Sequence, residues 1–274
     1  ISIAFILINQ SLKHINCNRS VVYLCYMITS IFLDTTLIRQ FLAFAFVMYG
    51  WQFLLGDIID KKKYVIFVLV GAVMHFSMLA FLIFIIDFDK TDFKTQKILF
   101  FNVSFLCLII VLLNNKQTPG LSFILSIFGS DKLISYSYST MVRNGWMYSC
   151  LVWLSMMTLS TYISMNRVPG MPFRDYQIIR KLDIMVTLSM FFIMFSMITM
   201  VYSRLFRPVS WLVFVELAYL PHSKKKGITK RRLIILILAA GFVFIYSFIF
   251  NHIIFDYGQI KAVLRGAPFW RNIM

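Results

Sequence analysis

The sequence predicts an all-α protein, a polytopic transmembrane helical bundle with about seven spans. Of the 274 residues, 60% are hydrophobic and only 14% are charged, whereas soluble domains carry about 25% charged residues. The mean hydropathy of +0.80 comes from several separate apolar runs, and a helix of about 20 apolar residues crosses a bilayer. We therefore exclude a water-soluble globular protein. The chain starts with Ile1, and we expect neither a secretory signal nor a transit peptide.

The N-terminal part predicts an interfacial segment at 1–20 and a four-helix membrane region at 21–113. The first two runs predict a hairpin, because Asp34 and the two threonines after it provide N-cap chemistry between them. The third run is the clearest span, and the polar stretch 87–97 before the fourth is typical of a solvated loop. The four runs are 21–33, 41–56, 64–86 and 98–113.

The C-terminal part predicts a polar loop with an interfacial helix at 114–144, followed by three further membrane helices with basic loops and a basic tail at 145–274. The three spans are 145–165, 184–203 and 233–250. The segment 210–221 is too short to cross a membrane and contains Glu216, the single Glu of the chain. We interpret it as an interfacial or re-entrant segment.

The net charge of +16 indicates a membrane surface rather than nucleic acid, because the Lys and Arg residues lie in loops between apolar runs. An anionic lipid such as cardiolipin is the natural partner for such charge. The strongest cluster lies before the last span. Its candidate lipid headgroup contacts are Lys224, Lys225, Lys226, Lys230, Arg231 and Arg232.

Motifs for independent catalysis are missing from the sequence. It contains no HExxH, GxSxG, P-loop or GxGxxG pattern, so hydrolytic and nucleotide-binding sites lack their residues. The four cysteines form no CxxC pair, which argues against a zinc site or a disulfide scaffold. We predict no catalytic residue, metal or cofactor, and at most a non-catalytic subunit of a larger enzyme.

Two ionisable residues are candidates for a proton path, His75 and Glu216. Ionisable groups at membrane depth are costly and are therefore functional hypotheses. The alternative for His75 is a neutral ring that hydrogen-bonds to a neighbouring helix. The alternative for Glu216 is an ion pair with Arg204 or Arg207, which the sequence places nearby.

The segment VLVGAVMHFSML at 68–79 resembles the third transmembrane helix of the sixth mitochondrially encoded NADH dehydrogenase subunit. The resemblance covers about residues 21–113 and rests on the Gly-Ala-x-Met step that begins at Gly71. It implies a π-bulge and close helix packing at Leu69, Gly71 and Ala72. It also implies a place in the proton-pumping arm of complex I, beside other membrane subunits of that complex.

The predicted function is therefore that of a membrane subunit of a respiratory complex in the mitochondrial inner membrane, supporting proton translocation coupled to electron transport. Its 29 Phe, 16 Met and 13 Tyr agree with an AT-rich mitochondrial genome. Two alternatives stay open. The first is another mitochondrially encoded subunit, of cytochrome oxidase or ATP synthase, and the second is a free-standing transporter, although no internal repeat is evident.

Overall fold

The computed structural model describes residues 2–29, 38–56, 58–86, 92–113, 146–166, 171–198, 205–220 and 230–253. Within these ranges the chain forms ten α-helices and one 3₁₀ helix, with no strand, so the all-α prediction is confirmed. The helices are α1 Ser2–His14, α2 Arg19–Thr29, α3 Ile38–Leu55, α4 Lys61–Met74, the 3₁₀ helix Phe76–Ile85, α5 Phe93–Leu113, α6 Trp146–Met165, α7 Phe173–Leu188, α8 Phe191–Ile198, α9 Phe206–Ala218 and α10 Lys230–Ile253.

Two of the described helices, α3 and α5, are long and apolar enough to cross a membrane. Most of α3 is buried inside the protein, whereas most of α5 is exposed along its length. Shorter apolar stretches lie in the 3₁₀ helix, in α6 and in α10. These features agree with a membrane bundle, but the prediction of about seven spans is not confirmed.

The third predicted span, 64–86, is not one continuous rod. The helix α4 ends at His75, whose backbone is extended at φ −150°, and the 3₁₀ helix follows. The Tyr64 hydroxyl donates a 2.7 Å hydrogen bond to the carbonyl of Phe81. In a continuous rod these two residues would stand about 25–30 Å apart, so the chain reverses direction at His75 and forms a helical hairpin.

The helix α4 packs closely on α3 through Gly71. A Cβ atom added to this glycine would lie 2.7 Å from the carbonyl oxygen of Ala43 and 3.3 Å from the nearest methyl carbon of Val47. Only a residue without a side chain allows two helix backbones to come so near each other. Leu69, by contrast, is 46% exposed on this helix, and Ala72 is half-buried.

The sixth predicted span, 184–203, is also divided in the structure. Its first residues belong to α7, which begins at Phe173 and continues to Leu188. A turn at Ser189 and Met190 then separates α7 from α8. The predicted span thus begins inside a longer helix, and its residues 199–203 lie outside the described part of the chain.

The short helix α9 lies at the centre of the molecule. Every residue from Phe206 to Ala218 is buried, and α9 packs against α2, α6 and α7. The turn between α1 and α2 covers its C-terminal end, where the Tyr219 hydroxyl donates to the carbonyl of Ile15 and the Asn18 N–H donates to that of Ala218 at 3.3 Å. No face of this helix is open to lipid, and the interfacial or re-entrant position of 210–221 in the membrane stays a prediction.

The N-terminus of α4 gives a prediction about pH. The backbone N–H of Lys63 donates a 3.0 Å hydrogen bond to the Asp60 side chain, and this bond holds the pKa of Asp60 below its usual value of 3.8. The cap is therefore complete above pH 3.8, and its contribution disappears as the pH falls through the lowered pKa of the folded protein. We expect NMR of the Asp60 carboxyl to show this lowered pKa, and Lys63→Pro, which removes both the N–H and the ammonium group 3.3 Å from Asp60, to raise it.

Candidate functional site

Four helices bring a set of polar side chains together inside the bundle. We call this set the buried network: Lys97 of α5, Ser160, Thr161 and Ser164 of α6, Asp183 of α7 and Glu216 of α9. Asp183 and Glu216 have no exposed surface, and the Lys97 side chain is 13% exposed. Charged groups are rarely buried to this extent without a function or a partner.

Lys97 reaches the network because α5 begins earlier than the sequence predicts. Asp92 caps the helix, since its carboxylate accepts from the backbone N–H of Lys94 at 3.2 Å and of Thr95 at 3.4 Å. Lys97 therefore lies in the helix rather than in the solvated loop predicted at 87–97. Its ammonium group can then point inward from the first turns of α5.

Asp183 is the most heavily hydrogen-bonded side chain of the network. The Lys97 ammonium donates to both of its carboxylate oxygens at 2.7 Å. Ser160 donates to Oδ1 at 3.1 Å and Ser164 to Oδ2 at 2.5 Å. The two serines are four residues apart on α6 and so face the same side. These donors can compensate the negative charge of an ionised carboxylate at this position.

Glu216, the member of the buried network on α9, has an environment different from that of Asp183. Its Oε1 atom lies 2.7 Å from the Ser160 hydroxyl, while Oε2 is buried with no hydrogen-bond partner in the described part of the chain. The alternative of an ion pair with Arg207 is not realised. Arg207 is nine residues earlier on α9, about 13 Å along the helix axis, and Arg204 is outside the described residues.

The other candidate residues are spread over the molecule. His75 forms the break of the α4 hairpin, where its backbone N–H donates to Gly71 at 2.9 Å and its Nδ1 lies 2.7 Å from the Ser77 hydroxyl. These contacts give His75 a local role, and its part in a proton path stays a prediction. Of the basic cluster, 224–226 lie outside the described residues, Lys230 begins α10 and Arg231 is exposed.

Sequence analysis missed most of the buried network. Lys97 and Asp183 are 86 positions apart, and each directly precedes an apolar run, which is typical of a membrane anchor. The sequence offered one weak signal. Lys97, Asp183 and Glu216, the single Glu of the chain, all lie next to or within apolar runs. The described residues contain no group of His, Cys, Asp and Glu that could hold a metal ion.

The fold and the site define a helical membrane protein with a charged network inside the bundle. The EpsG family model matches residues 1–261, and the chain belongs to the EpsG family, a bacterial polymerase-like membrane family. No curated protein and no solved structure gives a significant match to the chain.

Membership of this family corrects three sequence-based predictions. The resemblance to the sixth NADH dehydrogenase subunit is wrong, and with it the respiratory function. The mitochondrial inner membrane is wrong as a location, because the EpsG family is a bacterial membrane family. The resemblance rested on a short step of small residues around Gly71. The structure explains the step by the contact of Gly71 with α3. Any tightly packed pair of helices needs small residues at its contact.

Proposed function

We propose that this protein is a bacterial membrane glycosyltransferase that acts as a glycan polymerase. The match of the EpsG family model to residues 1–261 carries the proposal. The buried network supports it, because glycosyl transfer joins an acceptor hydroxyl to an anomeric carbon and must move the hydroxyl proton. Asp183 and Glu216, which lie on either side of Ser160, are the two acidic groups proposed to move this proton.

In this proposal each member of the network has a separate role. Lys97 holds the Asp183 carboxyl group in place through two hydrogen bonds of 2.7 Å. Ser160 connects Asp183 with Glu216. The pair of carboxyl groups is characteristic of glycosyl chemistry, in which one carboxyl donates a proton while another stays ionised.

The surrounding membrane arrangement is part of the proposal. We place the apolar helices in the bilayer as a multi-span bundle, in which 64–86 is a hairpin rather than a single span, with the division at 1–20, 21–113, 114–144 and 145–274 as the organisation of the chain. The exposed apolar side chains of α5 support a lipid-facing position for this helix; they include Ile98, Leu99, Leu106 and Leu113. Anionic lipid at the basic cluster before α10 is the proposed surface partner.

A complementation experiment tests the proposed function. In the bacterium that encodes the chain, deletion of the gene should abolish a high-molecular-weight glycan, and the intact gene should restore it. We expect Glu216→Gln to lower glycan production at least about 100-fold, the usual scale for loss of an acid or base, while the membrane level of the protein is unchanged. Gel analysis of extracted glycan gives the measurement.

The matched control is Asp60→Asn, which makes the same carboxyl-to-amide change at the partly exposed cap of α4. This variant should produce glycan as the intact protein does. A deletion strain with unchanged glycan would contradict the polymerase function. A fully active Glu216→Gln variant would instead remove Glu216 from the chemistry and leave the family-based function standing.

A further inference from the structure

We infer that Glu216 is a neutral carboxylic acid in the resting protein, and that Ser160 is the relay that connects its proton with Asp183. The starting observation is the position of one hydroxyl between two carboxyl groups. Ser160 Oγ lies 3.1 Å from Oδ1 of Asp183 and 2.7 Å from Oε1 of Glu216. The buried network therefore includes a continuous contact from one acid to the other through Ser160.

Counting hydrogens shows that this contact contains an additional proton. A serine hydroxyl has one hydrogen to donate, whereas an ionised carboxylate can only accept. With both acids ionised, one of the two short contacts would join two oxygens with no hydrogen between them, which is repulsive. Both contacts are satisfied when one carboxyl group is protonated and donates to Ser160.

The remaining contacts assign this proton to Glu216. Asp183 already accepts from Lys97 on both oxygens and from Ser164 on Oδ2, so its oxygens are stabilised as an anion. Among the described residues no cation forms a salt bridge with Glu216, and its Oε2 has no hydrogen-bond partner there. A buried carbonyl oxygen without a partner costs far less free energy than a buried carboxylate oxygen without one.

The charge balance of the site agrees with this assignment. Within the described residues, the charged groups of the network are Lys97 from α5 and Asp183 from α7, while α6 contributes only hydroxyl groups. A neutral Glu216 leaves one cation and one anion, so the buried network has no net charge. An ionised Glu216 would leave an uncompensated negative charge inside a membrane protein.

The relay step is balanced in protons and charge. The O–H bond of Glu216 breaks as its proton forms a new bond to Ser160 Oγ, and the original Ser160 proton moves to Oδ1 of Asp183. One proton has then moved from Glu216 to Asp183, and the serine is regenerated. The protonation state does not depend on the proposed glycosyl transfer, but the use of this proton in that reaction rests on the proposed function.

The composition of the chain offers a direct test. Glu216 is the only Glu, so cell-free synthesis with glutamate labelled with ¹³C at the side-chain carboxyl marks this group alone. Isotope-edited infrared spectroscopy of the reconstituted full chain at pH 7 should show the labelled C=O stretch of a carboxylic acid. The pair of bands of a labelled carboxylate in its place would overturn the inference.

The relay is tested by Ser160→Ala in the same labelled protein. Loss of the 2.7 Å contact should move the carboxylic acid band to higher frequency, because its hydroxyl loses the acceptor. The matched control is Ser155→Ala on the same helix, whose hydroxyl donates to the carbonyl of Val152 instead. An unshifted band in the Ser160 variant would exclude the relay. Glycan production is not part of this readout, so the two proposals can fail separately.

Discussion

Replacing Asp183 with Leu is expected to destabilise the folded protein by about 3–5 kcal/mol, the cost of removing one partner of a buried ion pair. The Lys97 ammonium and the hydroxyls of Ser160 and Ser164 all donate to this carboxylate. Leu would leave the Lys97 ammonium, whose side chain is only 13% exposed, without its anionic partner inside the bundle. Chemical unfolding in detergent or lipid, followed by circular dichroism, measures the change in the free energy of unfolding.

A double-mutant cycle separates the ion pair from the loss of packing. Lys97→Met combined with Asp183→Leu removes both charges and keeps apolar side chains of similar size. We expect the double variant to be more stable than the sum of the single variants by about 1–3 kcal/mol, as is usual for coupled residues. Strict additivity would contradict the ion pair. Lys63→Met, at an exposed cation paired with Asp60, is the control and should change stability by less than about 0.5 kcal/mol.

The helical class of this protein follows from its sequence, but the course of several helices does not. The long apolar runs predict helices, and α3, α5, α6 and α10 lie near the predicted positions. The run 64–86 is apolar enough for one span, yet its backbone is extended at His75 and the chain reverses there, which brings the buried Tyr64 hydroxyl to the carbonyl of Phe81. Hydropathy averages over a window and contains no information about such a contact.

The candidate site was partly visible in the sequence. The sequence indicates Glu216, because an ionisable side chain at membrane depth costs free energy whatever its neighbours are. Glu216 contacts Ser160 of α6 and lies near the charges of Lys97 on α5 and Asp183 on α7, and long-range contacts of this kind cannot be read from one sequence. The step Gly71-Ala72, by contrast, suggested a relationship that does not exist, because close helix packing gives the same pattern in unrelated proteins.

The packing at Gly71 gives the second large expected effect. Gly71→Ala should destabilise the protein by about 1–3 kcal/mol, the usual cost of forcing an added methyl group into a packed core. The new Cβ atom would lie 2.7 Å from the carbonyl oxygen of Ala43. Relief requires α3 and α4 to move apart, because the neighbouring atom belongs to the backbone and has no other rotamer to adopt.

Gly241→Ala in α10 is the matched control, because a Cβ atom there meets nothing within 4 Å. The same substitution should stabilise this helix by up to about 1 kcal/mol, the difference in helix propensity between Gly and Ala. The two variants therefore have opposite expected signs in the same unfolding measurement. If Gly71→Ala were as stable as the control, the α3–α4 contact would have to be looser than described. The close approach of Gly71 to Ala43 would then not hold the hairpin that turns at His75.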